Sequence, residues 1–309
     1  MDYVNLGRTP LRVSRICFGC AGIGGYDYGE TDDDTSIAAL RRAADQGINF
    51  FDVADVYGLG RAESLVQRAL GRRAHEVTIA TKFGVGWSKD GRTFRDISPN
   101  YLRRAVEGSL KRLGVECISL YQIHWPDQKT HWEDCIAALE DCRRAGKLLH
   151  IGACNLELGD LEQCQTAGRL ESLQLPYSLA EREHDALMGV AVDKFDMTTM
   201  AYNVLAHGLF SGKYHRTSEF EGTDLRTRIP LFRGTAFDRA LAVLERIKIT
   251  SVRTGYPCVS VAINWALSKN NVAVAICGAK TATQIEDCIS AADWRLTDDE
   301  IAFLESPSC

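Results

Sequence analysis

Short apolar runs alternate with amphipathic, helix-like stretches along almost the whole chain of 309 residues. Eight of the runs are typical of strands, and several are apolar at both alternating positions, as expected of parallel strands covered on both faces. They are ICFG (16–19), INFFDVA (48–54), VTIATK (77–82), CISLYQIH (117–124), LLHIGAC (148–154), SLQLPY (172–177), MTTMAYN (197–203) and VAVAICG (272–278). Eight alternations without a break predict one α/β domain over residues 1–309, folded as a (β/α)8 TIM barrel.

A doubly wound sheet is the structural alternative. The segment GCAGIGG (19–25) is rich in glycine, but no GxGxxG motif follows the first strand. Before that strand, YVNLGRTPLRVSRI (3–16) is typical of a β-hairpin, which could cover the bottom of a barrel. Two loops, 84–97 and 204–234, are unusually long and follow strand ends, where barrel active sites lie.

Composition narrows the function classes. A net charge of −5 and a pI near 5.8 give no reason to expect nucleic-acid binding. The sequence has no signal peptide and no apolar stretch of ~20 residues, so we expect a cytoplasmic protein with no membrane association. Among eleven cysteines, CFGC (17–20) has the C-x-x-C form but lacks a second half or a nearby histidine. We therefore expect packing roles and no metal site.

Four polar side chains lie at or just after the ends of three consecutive predicted strands: Asp52, Tyr57, Lys82 and His124. A tyrosine with a pKa near ~10 is a poor acid at neutral pH, but a neighbouring ammonium stabilises its phenolate. Lys82 could do this, Asp52 could keep Lys82 charged, and His124 could orient a substrate oxygen. Such a group suits protonation of a carbonyl oxygen while a bound carrier supplies hydride. Residues of these types near strand ends are also common in hydrogen-bonded packing, so spacing alone leaves both interpretations open.

The segments around these residues resemble the aldo-keto reductase superfamily, in its bacterial and plant-type NADP-dependent branch. FDVADVYGLGRAESLVQRAL (51–70), ATKFG (80–84) and YQIHWPD (121–127) resemble the segments that carry its Asp, Tyr, Lys and His tetrad. The resemblance continues almost to the end of the chain, through GACNLELGDL (152–161), LQLPYSL (173–179), YNVLAHGLFSGKY (202–214) and AICGAKTATQIEDC (275–288).

This resemblance implies an NADP(H)-dependent oxidoreductase that interconverts an aldehyde or ketone and an alcohol, with NAD(H) as the alternative cofactor. It implies Tyr57 as general acid and base, tuned by Lys82 and Asp52, with His124 setting substrate orientation. Lys280 is the residue expected to contact a 2′-phosphate, through a charge-assisted hydrogen bond.

Cofactor contacts are implied at a larger set of positions. Within this set, Asn155 and Gln174 would bind the carboxamide and Tyr202 would stack on the nicotinamide. Leu205, Gly208 and Lys213 would follow the pyrophosphate. The full set is Gly19, Cys20, Ala21, Asp52, Tyr57, Cys154, Asn155, Gln174, Tyr202, Asn203, Leu205, Gly208, Lys213, Gly278, Lys280, Thr281, Gln284, Asp287 and Cys288.

Four positions depart from the family pattern. Cys154 and Asn203 stand where serine is common, Val204 stands where proline is common, and Cys288 stands where asparagine is common. These departures weaken the inference for cofactor contacts at these positions and for a firm preference for NADP.

Aromatic residues on the loops are candidates for an apolar wall around a carbonyl substrate. With His124, the candidate substrate contacts are Tyr26, Trp87 and Trp125, although lid packing would explain these aromatic residues equally well. Two further hypotheses stay open. One is a dehydrogenase acting on a sugar, inositol or vitamin alcohol; the other is a cofactor-binding regulatory subunit, because the superfamily includes channel-associated β subunits. The physiological substrate and the oligomeric state are not predicted.

Overall fold

Eight parallel strands close into a barrel in the computed structural model, which describes residues 1–25, 29–220 and 224–306. The barrel order is β3, β4, β5, β8, β9, β10, β11 and β12, and β12 returns to pair with β3. The twelve strands are β1 (Tyr3–Asn5), β2 (Arg12–Ser14), β3 (Ile16–Gly19), β4 (Phe50–Asp52), β5 (Thr78–Phe83), β6 (Val85–Trp87), β7 (Thr93–Arg95), β8 (Ile118–Ile123), β9 (Leu148–Cys154), β10 (Ser172–Pro176), β11 (Thr198–Tyr202) and β12 (Val274–Gly278). The predicted (β/α)8 barrel is confirmed, and the doubly wound alternative is wrong.

Helices surround the barrel and begin and end largely where their capping residues predict. Ser98 accepts a hydrogen bond from the backbone of Tyr101 at the start of α3, and Gly114 ends that helix in the left-handed conformation. The ten helices described are α1 (Asp33–Asp45), α2 (Arg61–Leu70), α3 (Pro99–Leu113), α4 (Trp132–Arg144), α5 (Leu158–Ala167), α6 (Asp185–Asp193), α7 (Gly234–Thr254), α8 (Cys258–Leu267), α9 (Ala282–Ile289) and α10 (Asp298–Glu305). In the part of the chain that the structure describes, none of the helices has the length and apolar character to cross a membrane.

Alternate side chains of the strands divide the core into two layers. Phe50 of β4 belongs to the cluster inside the barrel, whereas its neighbour Phe51 packs in the cluster between strands and helices. The predicted hairpin is formed by β1 and β2, with Val4 opposite Val13. Because Leu6 and Val13 are fully buried in the inner cluster, the hairpin covers the barrel interior at the start of its strands.

Both long loops lie after strand ends, as predicted. Residues 84–97 contain the antiparallel hairpin of β6 and β7, directly after β5. Residues 204–234 follow β11 and contain three short 3-10 helices. These loops therefore lie on the side of the barrel where the predicted site residues are found.

Candidate active site

The four predicted catalytic side chains share one site at the carboxyl ends of the barrel strands. Asp52 ends β4, Lys82 lies near the end of β5, His124 follows β8, and Tyr57 lies in the loop after β4. The Nζ atom of Lys82 donates to Asp52 Oδ2 at 2.7 Å and lies 3.4 Å from the hydroxyl oxygen of Tyr57. The rings of Tyr57 and His124 meet edge to face, with 5.7 Å between their centroids. A carboxylate, an ammonium, a phenol and an imidazole therefore form one connected cluster, through the contacts Asp52–Lys82, Lys82–Tyr57 and Tyr57–His124.

Lys82 is the fully buried cation of the site. Burial by itself lowers the pKa of Lys82, but Asp52, Tyr57 and Cys154 together outweigh burial, so the pKa is raised above its ordinary value. The ammonium also donates to the backbone oxygen of Val53 at 3.0 Å. It therefore stays charged at neutral pH and presents a positive charge to the phenol oxygen of Tyr57.

Two amide side chains complete the surroundings of Asp52. Gln174 Nε2 donates to Asp52 Oδ1 at 2.8 Å, and Gln122 Nε2 lies 3.4 Å from the same oxygen. The predicted contact of Gln174 with a carboxamide stays a prediction, and in the structure its amide nitrogen is directed to Asp52. Gln122 was missed in the sequence. It lies two residues before His124 and two after Leu120, which packs inside the barrel, so the strand period could have identified it.

His124 is buried, and its Nδ1 atom has no hydrogen-bond partner among the described residues. Burial, followed by the positive charges of Lys82 and Arg95, lowers the pKa of His124 well below its ordinary value. The imidazole is therefore neutral at pH 7. A buried ring nitrogen without a partner is a place where a ligand can supply the missing hydrogen bond.

Asn155 connects the ends of three barrel strands. Its Nδ2 donates to the backbone oxygen of His124 at 3.0 Å, and its Oδ1 accepts from the hydroxyl of Tyr202 at 2.9 Å. Its backbone has a φ of 57°, in the left-handed region that asparagine tolerates. The preceding Cys154 is buried, and burial raises the pKa of its thiol, so it stands as a neutral thiol where serine is common in the family.

The turn that carries Tyr57 lies against the glycine-rich segment after β3. Gly58 has a φ of +60°, and a Cβ added there would lie 2.2 Å from the backbone oxygen of Gly24. Gly19 is opposite Asp52 in the sheet, and the backbone nitrogen of Cys20 donates to the backbone oxygen of Asp52 at 2.8 Å. This segment, which continues into Ala21, therefore sets the position of the Tyr57 turn. A larger side chain at position 58 would displace the backbone of Gly24 or the Tyr57 turn itself.

Three cations lie near one another on the loops after β11 and β12: Lys213, Arg226 and Lys280, called here the cationic cluster. Partial burial, then the charge of Arg226, lowers the pKa of both lysines, and Lys213 acts further on Lys280. Asp224 pairs with Arg226 at 2.5 Å and offsets one of the three charges. Arg226 was missed in the sequence because it lies inside a long loop without a recognisable motif.

The remaining predicted cofactor positions border this cluster or hold the loops that carry it. Gly208 has a φ of 87° and precedes a short 3-10 helix, after Leu205 on the same loop. Asn203 Nδ2 donates to Glu181 at 2.6 Å, so this side chain fastens the loop internally. At the start of α9, Thr281 caps the helix, Gln284 Oε1 accepts from the backbone of Lys280 at 2.8 Å, and Gly278, Asp287 and Cys288 lie on β12 or α9.

The predicted substrate residues do not all meet. Trp125 lies next to His124 and lines a cavity of about 230 Å³ together with Asn155. Trp87 is half-buried on β6, and neither Trp87 nor His124 is among the described residues that line this cavity. Tyr26 lies outside the residues that the structure describes.

Comparison with known proteins gives the family. The model of the aldo/keto reductase family matches residues 15–307. The chain belongs to this family. The resemblance found in the sequence is therefore confirmed, and the protein is a member of a family of oxidoreductases that act on carbonyl compounds and alcohols.

Individual relatives cover nearly the whole chain. Aldo-keto reductase YhdN of Bacillus subtilis (strain 168) is 34% identical over 305 residues, covering 97% of this chain and 91% of the relative. The aldo-keto reductase yakc [NADP(+)] of Schizosaccharomyces pombe is 28% identical over 93% of this chain and 86% of its own length. The structure of the glycerol dehydrogenase AKR11B4 from Gluconobacter oxydans superposes with a TM-score of 0.90 at 32% identity, covering 100% of this chain and 98% of that one.

Proposed function

We propose that this aldo/keto reductase is an NADP(H)-dependent enzyme that interconverts an aldehyde or ketone and an alcohol, with Tyr57 as the general acid and base. The observation that carries the proposal is the fully buried ammonium of Lys82, 3.4 Å from the Tyr57 hydroxyl and held by Asp52. An ammonium at this distance stabilises negative charge on the phenol oxygen and so assists proton release.

The residues divide the reaction between them. When bound, NADPH supplies the hydride that reduces the carbonyl carbon. Tyr57 donates its hydroxyl proton to the carbonyl oxygen, and Lys82 stabilises the charge that develops on the phenol oxygen. Asp52 keeps Lys82 charged, and neutral His124 forms a hydrogen bond that orients the carbonyl. In the direction of alcohol oxidation, Tyr57 accepts the proton instead.

The cofactor part of the proposal is supported by the cationic cluster. Three positive charges that lie close together, one of them paired with Asp224, are suited to a polyanion such as a dinucleotide phosphate. Lys280 and its neighbours Lys213 and Arg226 would hold the phosphates, and the half-buried ring of Tyr202 would contact the nicotinamide. The fission-yeast relative carries NADP(+) in its name, which also favours this cofactor.

The decisive variant is Tyr57→Phe, which removes the hydroxyl and keeps the ring. We expect the rate of NADPH oxidation with a panel of aldehydes and ketones to fall by at least about 100-fold, the scale of general acid catalysis. Binding of NADPH, measured by fluorescence titration, should change less than twofold by this same argument, since the variant alters proton transfer only. Full activity in Tyr57→Phe would refute the general-acid role.

Oxidation of a polyol is the second candidate function, because the superposed structure from Gluconobacter oxydans is a glycerol dehydrogenase. The same tetrad can serve carbonyl reduction and alcohol oxidation, so the two candidate functions differ only in their substrates. Initial rates of NADP⁺ reduction with glycerol and related polyols, set against NADPH oxidation with aldehydes, will show which direction the enzyme favours.

A further inference from the structure

Arg95 is a cation beside the proposed active site that none of the roles above uses. It lies at the end of β7, and its guanidinium carbon is 4.6 Å from the ring centroid of Trp125. Trp125 directly follows His124 in the chain, and both Arg95 and Trp125 line the cavity that reaches Asn155. Arg95 is exposed, and its guanidinium lies at the edge of the site, against Trp125.

The backbone around Arg95 is fixed on three sides. Arg95 pairs with Val85 across the small hairpin of β6 and β7. The backbone nitrogen of Asp96 donates to the oxygen of Gly84 at 3.1 Å, which closes the base of the hairpin. Asp127 Oδ2 accepts from the nitrogen of Ile97 at 3.0 Å and fastens the hairpin to the loop that carries Trp125. The location of the Arg95 backbone relative to Trp125 is therefore set before any ligand binds.

The charge of Arg95 has no carboxylate partner within ion-pair distance among the described residues. Arg92, on the same hairpin, pairs with Asp90 at 2.6 Å instead. The charge of Arg95 reaches the catalytic centre, because it is one of the causes that lower the pKa of His124.

Two carboxylates also line the cavity, and they limit what it can bind. Glu157 precedes α5, and Asp160 in its first turn accepts from the indole nitrogen of Trp132 at 3.1 Å. Neither lies within ion-pair distance of Arg95 in the structure. The cavity therefore combines a stacked, uncompensated guanidinium at its Trp125 wall with acids on the α5 wall, which suits a ligand with one anionic group.

We propose that Arg95 binds a carboxylate or phosphate group on the substrate, so that this enzyme prefers carbonyl compounds that carry an anionic group. The proposal rests on the function proposed above. The planar fork of a guanidinium matches either anion, and stacking on an indole leaves its donors directed outward. Because the hairpin already fixes the backbone at Arg95, little ordering cost opposes binding.

The test compares matched substrates in the wild type and in Arg95→Gln. The carboxylate pair is 4-carboxybenzaldehyde and its neutral methyl ester, and the phosphate pair is glyceraldehyde 3-phosphate and glyceraldehyde. A charge-assisted hydrogen bond predicts that Arg95→Gln lowers kcat/KM for the preferred anion by about 10- to 100-fold, mainly through KM. The neutral partner should change by less than about twofold, since it makes no such bond. The anionic substrate that loses more kcat/KM in Arg95→Gln shows whether the site prefers a carboxylate or a phosphate.

The control is Arg92→Gln, which removes a charge from an exposed side chain on the same hairpin that, unlike Arg95, pairs with a carboxylate. It should leave every kcat/KM within about twofold, as expected for an exposed ion pair. Calorimetric binding of 4-(hydroxymethyl)benzoate should weaken in Arg95→Gln and not in Arg92→Gln. Equal effects of Arg95→Gln on charged and neutral substrates would overturn the inference while leaving the proposed function intact. Absence of turnover for all four carbonyl compounds in the wild type would instead overturn the proposed function.

Discussion

The tetrad of Asp52, Tyr57, Lys82 and His124 and the cationic cluster use lysine in opposite ways. In the tetrad, Asp52 compensates the buried charge of Lys82, and the pKa of that lysine is raised. In the cationic cluster, lysines and an arginine lie close together, and the pKa values of Lys213 and Lys280 are lowered. The first region places its lysine beside a carboxylate, whereas the second places its lysines beside other cations.

The two regions also differ in the backbone that carries them. The hydrogen bonds of the tetrad come from strand ends, whose positions are fixed by the barrel. The cationic cluster lies on loops, and two residues of one of these loops, Ala206 and His207, have positive φ values of 48° and 55°. Such backbone conformations cost of order 1 kcal/mol each, so the loop is less stable by itself than the strands.

The largest expected effect comes from removing the charge of the tetrad. In Lys82→Met, Asp52 is left buried without a cation, so we expect a loss of about 3–5 kcal/mol in the free energy of unfolding. Activity should fall by about 1000-fold or more, since Tyr57 loses its stabilising charge. Urea unfolding and initial-rate assays measure the two effects.

The double variant Lys82→Met with Asp52→Asn is the control for this prediction. It removes both charges and should regain about 2 kcal/mol or more of stability relative to the single variant, although activity stays lost. If the double variant is as unstable as the sum of the two single variants, the pair is not a self-compensated unit.

The barrel could be predicted from the sequence because each of its strands is recognised by residues that are close together in the chain. Each strand is an apolar run with turn residues beside it, and each predicted strand overlaps an observed one. The tetrad was predictable for a related reason. Asp52, Lys82 and His124 lie at strand ends, and closing the barrel brings strand ends to one face.

Arg95 and Arg226, whose contacts come from distant segments of the chain, were not predicted. Arg95 and Trp125 lie on different loops, and only the folded hairpin brings the guanidinium to the indole ring. Arg226 similarly meets Lys280 across a long loop. No periodicity or motif encodes loop conformation, so the sequence could not identify these cations as neighbours of the site.

The second prediction concerns His207, which senses the positive potential of the cationic cluster. Burial, then the charge of Arg226, lowers the pKa of His207 from 6.5 to about 4. Between these values the unfolded chain binds more protons than the folded one, so the free energy of unfolding decreases as pH falls through this window. Proton linkage converts this shift in pKa into a loss of about 2 kcal/mol in the free energy of unfolding between pH 7.5 and pH 5.

His207→Asn keeps a residue that tolerates positive φ and removes the titrating group. Its free energy of unfolding, measured with urea at pH 7.5 and pH 5, should therefore fall by about 2 kcal/mol less than that of the wild type over the same interval. His75→Asn, at an exposed site, should follow the wild type. An unchanged pH dependence in His207→Asn would mean that neither burial nor the charge of Arg226 lowers the pKa of His207 in the folded protein.

The smallest expected effect tests whether Lys280 of the cationic cluster binds the 2′-phosphate of the cofactor. Lys280→Ala should weaken NADPH binding about tenfold, the scale of one charge-assisted hydrogen bond, and NADH binding less than twofold. The difference should shrink as salt is raised from 50 mM to 500 mM, because Lys280 is only half-buried and its charge is screened. Fluorescence titration of both cofactors provides the dissociation constants, and Lys269→Ala, a lysine paired with Glu305, is the control. Equal weakening of NADPH and NADH binding would contradict a contact between Lys280 and the 2′-phosphate, and would favour a contact with the pyrophosphate that both cofactors share.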